Sequence, residues 1–311
     1  METEAPRVAV VIVSHNTRAE LLRCLASLVV STSRPLEILV VDNASQDGSP
    51  DAVERSFPQV RVMRLAENVG FARANNHGLR ETEAPLVLML NPDTEVRPRA
   101  VDALAAALEA RPRLGAVGPR TLNPDGSVQV SFGPDLTPLA EWRQRRLVRG
   151  VKRRNPRALA RVAALTQRDF EPDWLSGSCI LARREALLAV GGFDEGFFLY
   201  EEDADLGLRL RRAGWRLLLT PGAEIVHHLG ASMAKTRNRA RLEYQRSHLR
   251  YYRKHNGPAS RMALRCLLAS SALLGLARAV LSGEGDQRQH HLVVLRLALG
   301  LDRTPNRAEP R

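Results

Sequence analysis

The chain has 311 residues, with 46 lysines and arginines against 34 aspartates and glutamates and a formal net charge of +12. Its cysteines, Cys24, Cys179 and Cys266, lie far apart and form no Cys-x-x-Cys pair. We therefore expect neither a disulfide framework nor a thiolate zinc site, and this cysteine usage fits a reducing cytoplasm. The N-terminus is acidic and leads directly into a predicted strand, which is unlike a signal peptide. The sequence contains no run of about 18 uncharged apolar residues, so it predicts no membrane-spanning helix.

Strands alternate with helices over roughly the first 110 residues. Apolar runs predict strands at 8–14, 36–41, 60–65 and 85–90, and the intervening patterns predict helices at 18–30, 50–57, 71–80 and 98–110. This order predicts an α/β fold with a mostly parallel central sheet. Such sheets bind ligands at the carboxyl ends of their strands. We therefore expect His15, Asp42 and Asp93, which follow three of the strands, to converge on one crevice.

The second half of the chain is less regular. It predicts short strands at 115–119, 127–132, 174–182, 215–219 and 225–229 and helices at 183–190, 237–254 and 262–281, the last extended by 292–301. A basic insertion at about 134–172 contains two short amphipathic helices, the second opened by Asn155 and Pro156. We expect the insertion to lie over the site or on a membrane.

These patterns divide the chain into a main domain (1–256), C-terminal helices (257–301) and a disordered tail (302–311). The helix at 262–281 contains Arg265 and Arg278 with only twelve uncharged residues between them. Twelve residues are too few to span a bilayer, so we expect this helix to lie in a membrane interface or to pack against a partner.

The positive charge is concentrated in two segments. Residues 143–168 hold ten lysines and arginines and no acid, and residues 235–265 hold ten against Glu243 alone. Such local charge indicates a partner surface, for which an anionic membrane is the favoured partner and a plain solvated face is the alternative. Nucleic acid is disfavoured, because few aromatic residues are interleaved with the basic ones.

An acidic group opens the predicted helix that follows Phe197. Glu201, Glu202, Asp203 and Asp205 fall within five residues. One or two carboxylates would complement the helix dipole, whereas four repel one another. Crowding raises the pKa of a carboxyl group toward the value that a general base needs near neutrality, so this group is a catalytic candidate, with the dipole interpretation as the alternative.

Two further motifs offer metal ligands. Asn91-Pro92-Asp93 supplies a carboxylate suited to a cation that bridges two phosphates, although it is also ordinary turn chemistry. His227-His228 offers an imidazole ligand, with a structural histidine as the alternative. No Gly-x-Gly-x-x-Gly follows the first strand and no Gly-x-x-x-x-Gly-Lys-Ser/Thr occurs, which disfavours dinucleotide and P-loop binding.

Taken together, the motifs resemble the family 2 glycosyltransferases, which have the GT-A fold, and within them the rhamnosyltransferase-like branch. The resemblance covers about residues 6–255 without the insertion. It is carried by Val-Ile-Val-Ser-His-Asn (11–16), Val-Val-Asp-Asn-Ala-Ser-Gln-Asp-Gly-Ser (40–49), Glu-Asn-Val-Gly-Phe-Ala-Arg-Ala-Asn-Asn-His-Gly (67–78), Leu-Asn-Pro-Asp-Thr (90–94), Gly-Gly-Phe-Asp-Glu-Gly-Phe-Phe (191–198) and the acidic helix.

This resemblance implies a binding site for a nucleotide-sugar donor. The implied donor residues, from the base and ribose to the diphosphate, are Ser14, Asn16, Asp42, Asn68, Gly70, Phe71, Asn75, Asn91 and Asp93. Asp93 is similar to the surviving carboxylate of the family's Asp-x-Asp motif, in which Asn91 replaces the first aspartate. It would bind Mg²⁺ or Mn²⁺, with His227 completing the metal shell.

The resemblance also implies the catalytic and acceptor groups. Asp203, beside Glu202, is similar to the family's catalytic base, and Trp174, Ser176 and Gly177 would lie near the acceptor. The implied enzyme is an inverting transferase of L-rhamnose from dTDP-rhamnose to a cell-envelope glycan or lipid-linked acceptor, cytoplasmic and peripheral on the inner face of the membrane. Transfer of galactofuranose, glucose or N-acetylglucosamine from a UDP-sugar, and a non-catalytic membrane-associated scaffold for glycan assembly, remain alternatives, and the oligomeric state is open.

Overall fold

The computed structural model describes residues 7–228 and 237–301, so the predicted tail at 302–311 lies outside the described residues. The strands are β1 (Val8–Ser14), β2 (Leu36–Asp42), β3 (Arg61–Arg64), β4 (Leu86–Leu90), β5 (Thr94–Val96), β6 (Leu114–Leu122), β7 (Phe132–Gly133), β8 (Trp174–Leu175), β9 (Cys179–Arg183) and β10 (Arg216–His227). The helices are α1 (Arg18–Val29), α2 (Ser49–Ser56), α3 (Phe71–Arg80), α4 (Ala100–Glu109), α5 (Pro138–Lys152), α6 (Pro156–Leu165), α7 (Arg184–Ala189), α8 (Glu202–Arg212), α9 (Arg237–His255), α10 (Pro258–Leu281) and α11 (Gly285–Leu299).

Eight strands form one mixed sheet in the order β3-β2-β1-β4-β9-β6-β10-β5, and β7 pairs with β8 in a separate ribbon. The four strands from β3 to β4 are parallel, as are β6 and β10. Only β9 and β5 run antiparallel to their neighbours in this sheet. The expectation of an α/β fold with a mostly parallel sheet is confirmed.

The sheet curls because its connections are short. Three strands lie between β4 and β5 in the sheet, a separation of about 19 Å if the sheet were flat. Only residues 91–93 connect these two strands along the chain, and such a link reaches about 14 Å. The far edge of the sheet must therefore bend back toward β4, which brings the start of β5 close to the end of β4.

Alternate residues of the central strands bury against helices on both faces of the sheet. In β1, Val8, Val10 and Ile12 contribute to a core with α1 and α4, and Ala9 and Val11 contribute to a second core with α3, α7 and α8. A strand covered on both faces needs apolar residues at every position, which explains the unbroken apolar run in β1.

The insertion and the C-terminal helices share a third core with α8. Its buried members come from α8, α9, α10, α11 and the segments that precede α5 and α8, and they are Leu136, Phe197, Ala204, Leu208, Tyr251, Tyr252, Leu264, Leu268 and Ala298. The helix after Asn155 begins as expected, with the Asn155 side chain accepting hydrogen bonds from the next turn. The division of the chain at residue 256 stays a prediction.

Several of the predicted strands differ from those of the structure. The predicted strand at 174–182 is interrupted by a turn at 176–178, and β5 was not predicted. The segments 215–219 and 225–229 form a single strand, β10, up to His227, and residue 229 lies outside the described part. Pro221 and Gly222 lie between the two predicted segments, and a register shift between Thr220 and Glu224 accommodates them within the strand.

By length and composition alone, α10 is long and apolar enough to cross a membrane, and 22% of its most apolar stretch is buried within the structure. Only twelve uncharged residues lie between Arg265 and Arg278. The helix itself is longer than that stretch, since it begins at Pro258 and ends at Leu281. Core helices of soluble proteins pass the same test. By length and composition the helix therefore meets the requirement for crossing a membrane that the sequence had indicated was unmet, and the interfacial or packed arrangement stays a prediction.

Candidate active site

The loops after β1 and β2 are held together by hydrogen bonds. The Asn16 amide oxygen accepts from the Gln46 N–H at 2.7 Å, and the Asn16 N–H donates to the Ser45 hydroxyl at 3.0 Å. Asp47 accepts from the Arg18 N–H at 2.9 Å and so caps α1 from the neighbouring loop. Because each loop supports the other, the two strand ends form one rigid rim.

Asp42 closes β2 at this rim and is almost fully buried. One carboxylate oxygen accepts from the Ser45 N–H at 3.1 Å, whereas Oδ1 is buried and has no hydrogen-bond partner among the residues that the structure describes. Leaving a buried polar atom unpaired costs about 1–3 kcal/mol. An atom in that state is typical of a position where a ligand donates the missing hydrogen bond.

Asn43 connects this rim to the start of α3. Its amide group donates to Asn68 at 3.0 Å and to the Gly70 carbonyl at 3.3 Å, and its oxygen accepts from the Val69 N–H at 2.9 Å. Gly70 has a φ of +87°, and a Cβ there would lie 2.5 Å from the Phe198 carbonyl oxygen. Only glycine fits this close approach, so the turn brings α3 against the segment that leads into α8.

Phe71 and Gly177 lie between that turn and the acidic helix. The Phe71 N–H donates to the Phe198 carbonyl at 2.7 Å. A Cβ on Gly177 would lie 3.3 Å from the Phe71 ring and 3.7 Å from Asp203 Cβ. The Gly177 N–H donates to Asp203 Oδ2 at 3.0 Å. The contacts thus run without a gap from Asp42 through Asn43 to Asp203.

The carboxyl group of Asp203 is tuned by its surroundings. Burial, with a contribution from the charge of Glu201, raises the pKa of Asp203 to about 6, against the opposing hydrogen bond from Gly177. Burial also raises the pKa of Glu202 well above its usual value, as does the neighbouring charge of Asp203, and Glu202 Oε2 is buried without a partner. The raised pKa expected from crowding is therefore found at these two acids, with burial as the larger cause.

The other two acids of the group are satisfied by basic side chains. Glu201 accepts from His248 Nδ1 at 3.1 Å. Asp205 receives Arg209 and Lys254 at 2.6 Å and His255 at 2.7 Å. Although burial raises the pKa of Asp205, His255, Arg209 and Lys254 lower it to about 2.

His248 lies fully buried between two carboxylates from different elements. Its Nε2 is 3.2 Å from Glu141 of α5 and its Nδ1 is 3.1 Å from Glu201. The Tyr252 hydroxyl also donates to Glu141, at 2.6 Å, and the ring of Tyr244 stacks on the imidazole. Burial lowers the pKa of His248, but the hydrogen bonds and charges of Glu141 and Glu201 raise it to about 9. The protonated imidazole therefore joins the insertion to the entry of α8.

The backbone at that entry is strained. Tyr200 and Glu201 have φ values of +71° and +65°, in the left-handed region that side chains with a Cβ rarely adopt. Such residues persist only where neighbouring contacts enforce them, and they concentrate at functional sites. Here the Ser247 hydroxyl donates to the Leu199 carbonyl at 2.8 Å and His248 holds Glu201, so α9 enforces the turn that presents Asp203.

Asp93 and His227 form a pair where the curled edge of the sheet returns to β4. Asp93 Oδ1 lies 3.2 Å from His227 Nε2, and the His228 N–H donates to the Asp93 carbonyl at 2.9 Å. Gln129 Oε1 lies 2.9 Å from His227 Nδ1, and the Gln129 amide nitrogen donates to the Asn123 side-chain oxygen at 3.0 Å. This orientation of Gln129 assigns the proton of a neutral His227 to Nδ1 and leaves Nε2 as an acceptor that faces a carboxylate.

Two facing acceptors fit a divalent cation. Cis ligands of an octahedral ion with bonds of about 2.1 Å are about 3 Å apart, close to the separation of this pair. Residues 7–228 and 237–301 contain no group of three or more His, Cys, Asp or Glu side chains arranged to hold an ion. An ion bound by Asp93 and His227 would therefore take its remaining ligands from phosphate oxygens or water, as Mg²⁺ usually does.

Several predicted site residues form hydrogen bonds to other groups of the protein. The Ser14 hydroxyl is fully buried and bonds to Thr17 at 2.9 Å, and the Asn75 amide donates to the Phe71 carbonyl within α3 at 3.0 Å. The Trp174 indole donates to the Pro134 carbonyl at 2.9 Å. These bonds support local packing, so a direct role in ligand binding for the three side chains stays a prediction.

Backbone hydrogen bonds join the turn before β9 to the end of β4 and to the segment before β7. The Asn91 N–H donates to the Ser178 carbonyl at 2.9 Å, and the Ser176 N–H donates to the Ser131 carbonyl at 2.8 Å. Because β9 runs antiparallel to β4, the start of β9 lies at the same edge as the end of β4. Asn91, Ser176 and Gly177 therefore belong to the edge that carries Asp42.

Sequence reasoning missed three residues that organise this edge: Asn43, Gln129 and His248. Asn43 was visible as a part of the motif after β2, but its amide bonds depend on a turn 25 residues away. Gln129 and His248 carry no local signal, since their partners lie 98 and 107 residues away in the chain, at His227 and Glu141.

Comparison with known proteins agrees with this geometry. The family described as Glycosyl transferase family 2 matches residues 9–174. A curated N-acetylglucosaminyl-diphospho-decaprenol L-rhamnosyltransferase of Mycobacterium tuberculosis is 37% identical over 238 residues, covering 73% of this chain and 77% of that protein. The O-antigen biosynthesis protein RfbC of Myxococcus xanthus is 32% identical over 235 residues, covering 73% of this chain and 18% of that protein.

Solved structures share the fold. The mannosyltransferase PcManGT from Pyrobaculum calidifontis, in complex with GDP-Man and Mn²⁺, matches with a TM-score of 0.56 at 20% identity, over 96% of this chain and 88% of its own. GalNAc-T7 with UDP, GalNAc and Mn²⁺ matches with a TM-score of 0.58 at 16% identity, over 81% of this chain and 48% of its own.

The protonation of His248 should make stability depend on pH. The folded state retains this proton up to about pH 9, whereas the unfolded chain releases it near 6.5. Its contribution is complete below pH 6.5 and is lost as the pH rises through 9, and each pKa unit corresponds to about 1.4 kcal/mol. We expect His248→Gln to lower the free energy of unfolding at pH 6 by a few kcal/mol and to flatten its decline between pH 6.5 and 9, as measured by urea denaturation.

Glu141→Gln, which removes one of the two carboxylates that face the imidazole, is the matched variant. It should flatten the same pH profile by a smaller amount, because Glu201 remains. Equal slopes in the wild type and His248→Gln would contradict the assignment of the proton to His248.

Proposed function

The chain belongs to glycosyl transferase family 2 and is a glycosyltransferase, and from this premise we propose that it transfers L-rhamnose from dTDP-rhamnose to a lipid-linked or cell-envelope glycan with inversion at the anomeric carbon. The observation that carries the proposal is the placement of Asp203. Its carboxylate is held by the Gly177 N–H beside Phe71, with a pKa raised to about 6. A group with these properties is deprotonated near neutral pH and still basic enough to take a proton in the transition state.

In the proposed reaction, Asp203 accepts the proton of the acceptor hydroxyl as that oxygen attacks the anomeric carbon of the donor. The bond between the anomeric carbon and the nucleoside diphosphate breaks on the opposite face, so the configuration inverts. The Gly177 N–H orients the carboxylate. Glu202 is buried beside Asp203, and its pKa is raised. While Glu202 is protonated, it adds no negative charge to the surroundings of Asp203.

The rim formed by β1, β2 and α3 is proposed to bind the nucleotide. The unpaired Asp42 Oδ1 is suited to accept a hydrogen bond from the imide N–H of a thymine or uracil base. Asn68 and Gly70 shape the turn at the N-terminus of α3, where backbone N–H groups and the helix dipole favour a phosphate. Asp93 and His227 would hold Mg²⁺ or Mn²⁺, which when bound neutralises charge on the departing diphosphate.

The acceptor is proposed by analogy with the mycobacterial relative, whose name gives N-acetylglucosaminyl-diphospho-decaprenol as the substrate of that protein. A lipid-linked acceptor is consistent with an enzyme that works at the cytoplasmic face of a membrane. The related RfbC is described as an O-antigen biosynthesis protein, which also concerns a cell-surface glycan.

A UDP-sugar donor is the alternative within the same reaction class, because thymine and uracil present the same hydrogen-bonding edge to Asp42. A non-catalytic scaffold would not require the strained entry to α8 or the raised pKa of Asp203, and these two features favour the enzyme.

Replacement of the proposed base tests the mechanism. Asp203→Asn keeps the shape of the side chain but removes its basicity, and we expect kcat to fall by about 10²–10⁴-fold with little change in donor binding. In the wild type, kcat should fall as the pH drops below about 6, because protonated Asp203 is inactive. Radiolabelled sugar transfer measured from pH 5 to 8 gives both results.

Asp205→Asn is the matched control on the same helix. Asp205 is held by Arg209, Lys254 and His255, so its loss should lower stability and leave kcat per folded molecule within a few-fold of the wild type. Turnover by Asp203→Asn at the wild-type rate would remove Asp203 from the reaction.

Donor choice and metal dependence are tested together by thermal shift. We expect dTDP-rhamnose with Mn²⁺ to raise Tm more than UDP-glucose, UDP-galactofuranose or UDP-N-acetylglucosamine, because a ligand that binds only the folded state stabilises it. Removal of Mn²⁺ by EDTA, or Asp93→Ala, should reduce the shift with dTDP-rhamnose. The proposed metal site would be contradicted if the Tm shift with dTDP-rhamnose stayed at the value of the wild type with Mn²⁺, both after EDTA is added and in Asp93→Ala.

Peripheral attachment to the inner face of the membrane is proposed from the exposed side of the C-terminal helices. Leu267, Leu274 and Leu281 recur every seven residues on α10 and are 65%, 63% and 88% exposed. Single exposed apolar residues are ordinary, but a stripe of leucines along one helix is typical of an interfacial contact.

We expect replacement of these three leucines by serine to release the protein from phosphatidylglycerol vesicles in a co-sedimentation assay. Leu188→Ser on α7, a leucine that is 49% exposed outside the C-terminal helices, is the control and should remain bound. Full sedimentation of the triple variant would contradict attachment through α10.

A further inference from the structure

The two helices of the basic insertion enclose a groove of about 860 Å³ together with β7 and residues 170–173. Its apolar floor includes Phe132 and Phe170, whose rings meet edge to face at a centroid distance of 4.8 Å, and Leu165. Four arginines of α5 and α6 line it as well, Arg143, Arg146, Arg157 and Arg161, and all four are exposed. The groove thus combines an apolar surface with a cluster of positive charge.

The charge of these arginines is not compensated within the part of the chain that the structure describes. None of the four has a carboxylate within salt-bridge distance there, and Arg146 instead lies over the Trp142 ring at 4.8 Å. The acids that line the groove are already engaged, since Glu171 pairs with Arg216 and Asp173 lies 3.4 Å from Arg211. The groove therefore carries a net positive charge that an anionic ligand would neutralise.

The second basic segment behaves differently. Arg246 pairs with Glu243 at 2.8 Å, Arg250 with Asp194 at 3.1 Å, and Lys254 with Asp194 and Asp205 at 2.7 and 2.6 Å. These side chains of α9 serve the internal structure around α8. In the insertion, by contrast, the four arginines that line the groove have no carboxylate partner among the residues that the structure describes.

The groove continues toward the proposed base. Gly133 and Asp173 line it and flank Trp174, whose ring packs on Gly133. Asp173 precedes Gly177 by four residues, a path of at most about 15 Å, and the Gly177 N–H binds Asp203. The groove therefore ends at the segment that leads to the turn holding Asp203.

We propose that this groove binds the acceptor by its carrier, with the arginines on the diphosphate and the apolar floor on the first isoprenoid units of a polyprenyl diphosphate. The proposal rests on the proposed glycosyltransfer to a lipid-linked sugar and names the residues that select that acceptor. Guanidinium groups bind phosphate oxygens in pairs, and apolar area buried on the floor contributes about 25 cal/mol per Å². A flat anionic membrane would satisfy the charge but would leave the concave floor empty.

The test measures equilibrium binding of farnesyl diphosphate to the full chain in detergent by isothermal titration, independently of turnover. Arg157→Gln/Arg161→Gln should raise its Kd at least about tenfold, since a lost hydrogen bond to a charged group costs about 1.5–3 kcal/mol. Arg149→Gln/Arg153→Gln removes the same charge from the insertion outside the groove and is the matched control, with an expected change below about twofold.

Kinetics give the second readout. In Arg157→Gln/Arg161→Gln, KM for a farnesyl-diphosphate-linked N-acetylglucosamine should rise about tenfold or more, while KM for the donor and activity on a short N-acetylglucosaminide without diphosphate stay at wild-type values. Equal Kd for farnesyl diphosphate in both double variants would overturn the groove assignment, even if transfer occurs. Groove-dependent binding without any transfer would overturn the proposed function and keep the groove.

Binding to phosphatidylglycerol vesicles separates a membrane surface from a site. If farnesyl diphosphate fails to compete and both double variants lose vesicle binding equally, the arginines form a general anionic contact and the proposal is wrong. Competition by farnesyl diphosphate at the groove, lost only in Arg157→Gln/Arg161→Gln, supports it.

Discussion

The hydrogen bond from the Gly177 N–H to the Asp203 carboxylate connects the two halves of the site. Gly177 belongs to the turn that starts β9, so its position is set by pairing with β4 in the centre of the sheet. Asp203 belongs to α8, whose position is set by α9 and the insertion. This backbone donor therefore fixes Asp203 against the edge of the sheet, and burial raises the pKa of its carboxyl group.

Charge is divided unequally along α8. Asp205 and Glu201 are neutralised by basic groups from α8 and α9, whereas Asp203, which is half-buried, and Glu202, which is buried, have a raised pKa. Within this group, Asp205 and Glu201 attach the helix to its neighbours, and Asp203 and Glu202 carry the raised pKa on which the proposed chemistry depends. A carboxylate that is paired with cations stabilises the helix but is a weak base, whereas an unpaired buried carboxylate is a stronger base. The helix contains carboxylates of both kinds.

Most of the fold could be predicted because its signals are local. The apolar run of β1 and the motifs after β2 and β4 fixed the sheet and the edge that carries Asp42 and Asp93. The sequence could not predict β5 or the continuity of β10, because both depend on pairing at the curled edge of the sheet. The partners of His248 and Gln129 were also hidden, since electrostatic contacts across about a hundred residues leave no periodic pattern.

The His248 bridge has a consequence for how such enzymes diversify. Insertions between β7 and β8 suggest a cassette that evolution could exchange freely between relatives to change the acceptor. Here Glu141 of that cassette is fixed to His248 and Tyr252 of α9, more than a hundred positions downstream. The insertion and α9 therefore form one structural unit, and a graft of residues 134–172 alone would lack the partners that α9 provides to Glu141.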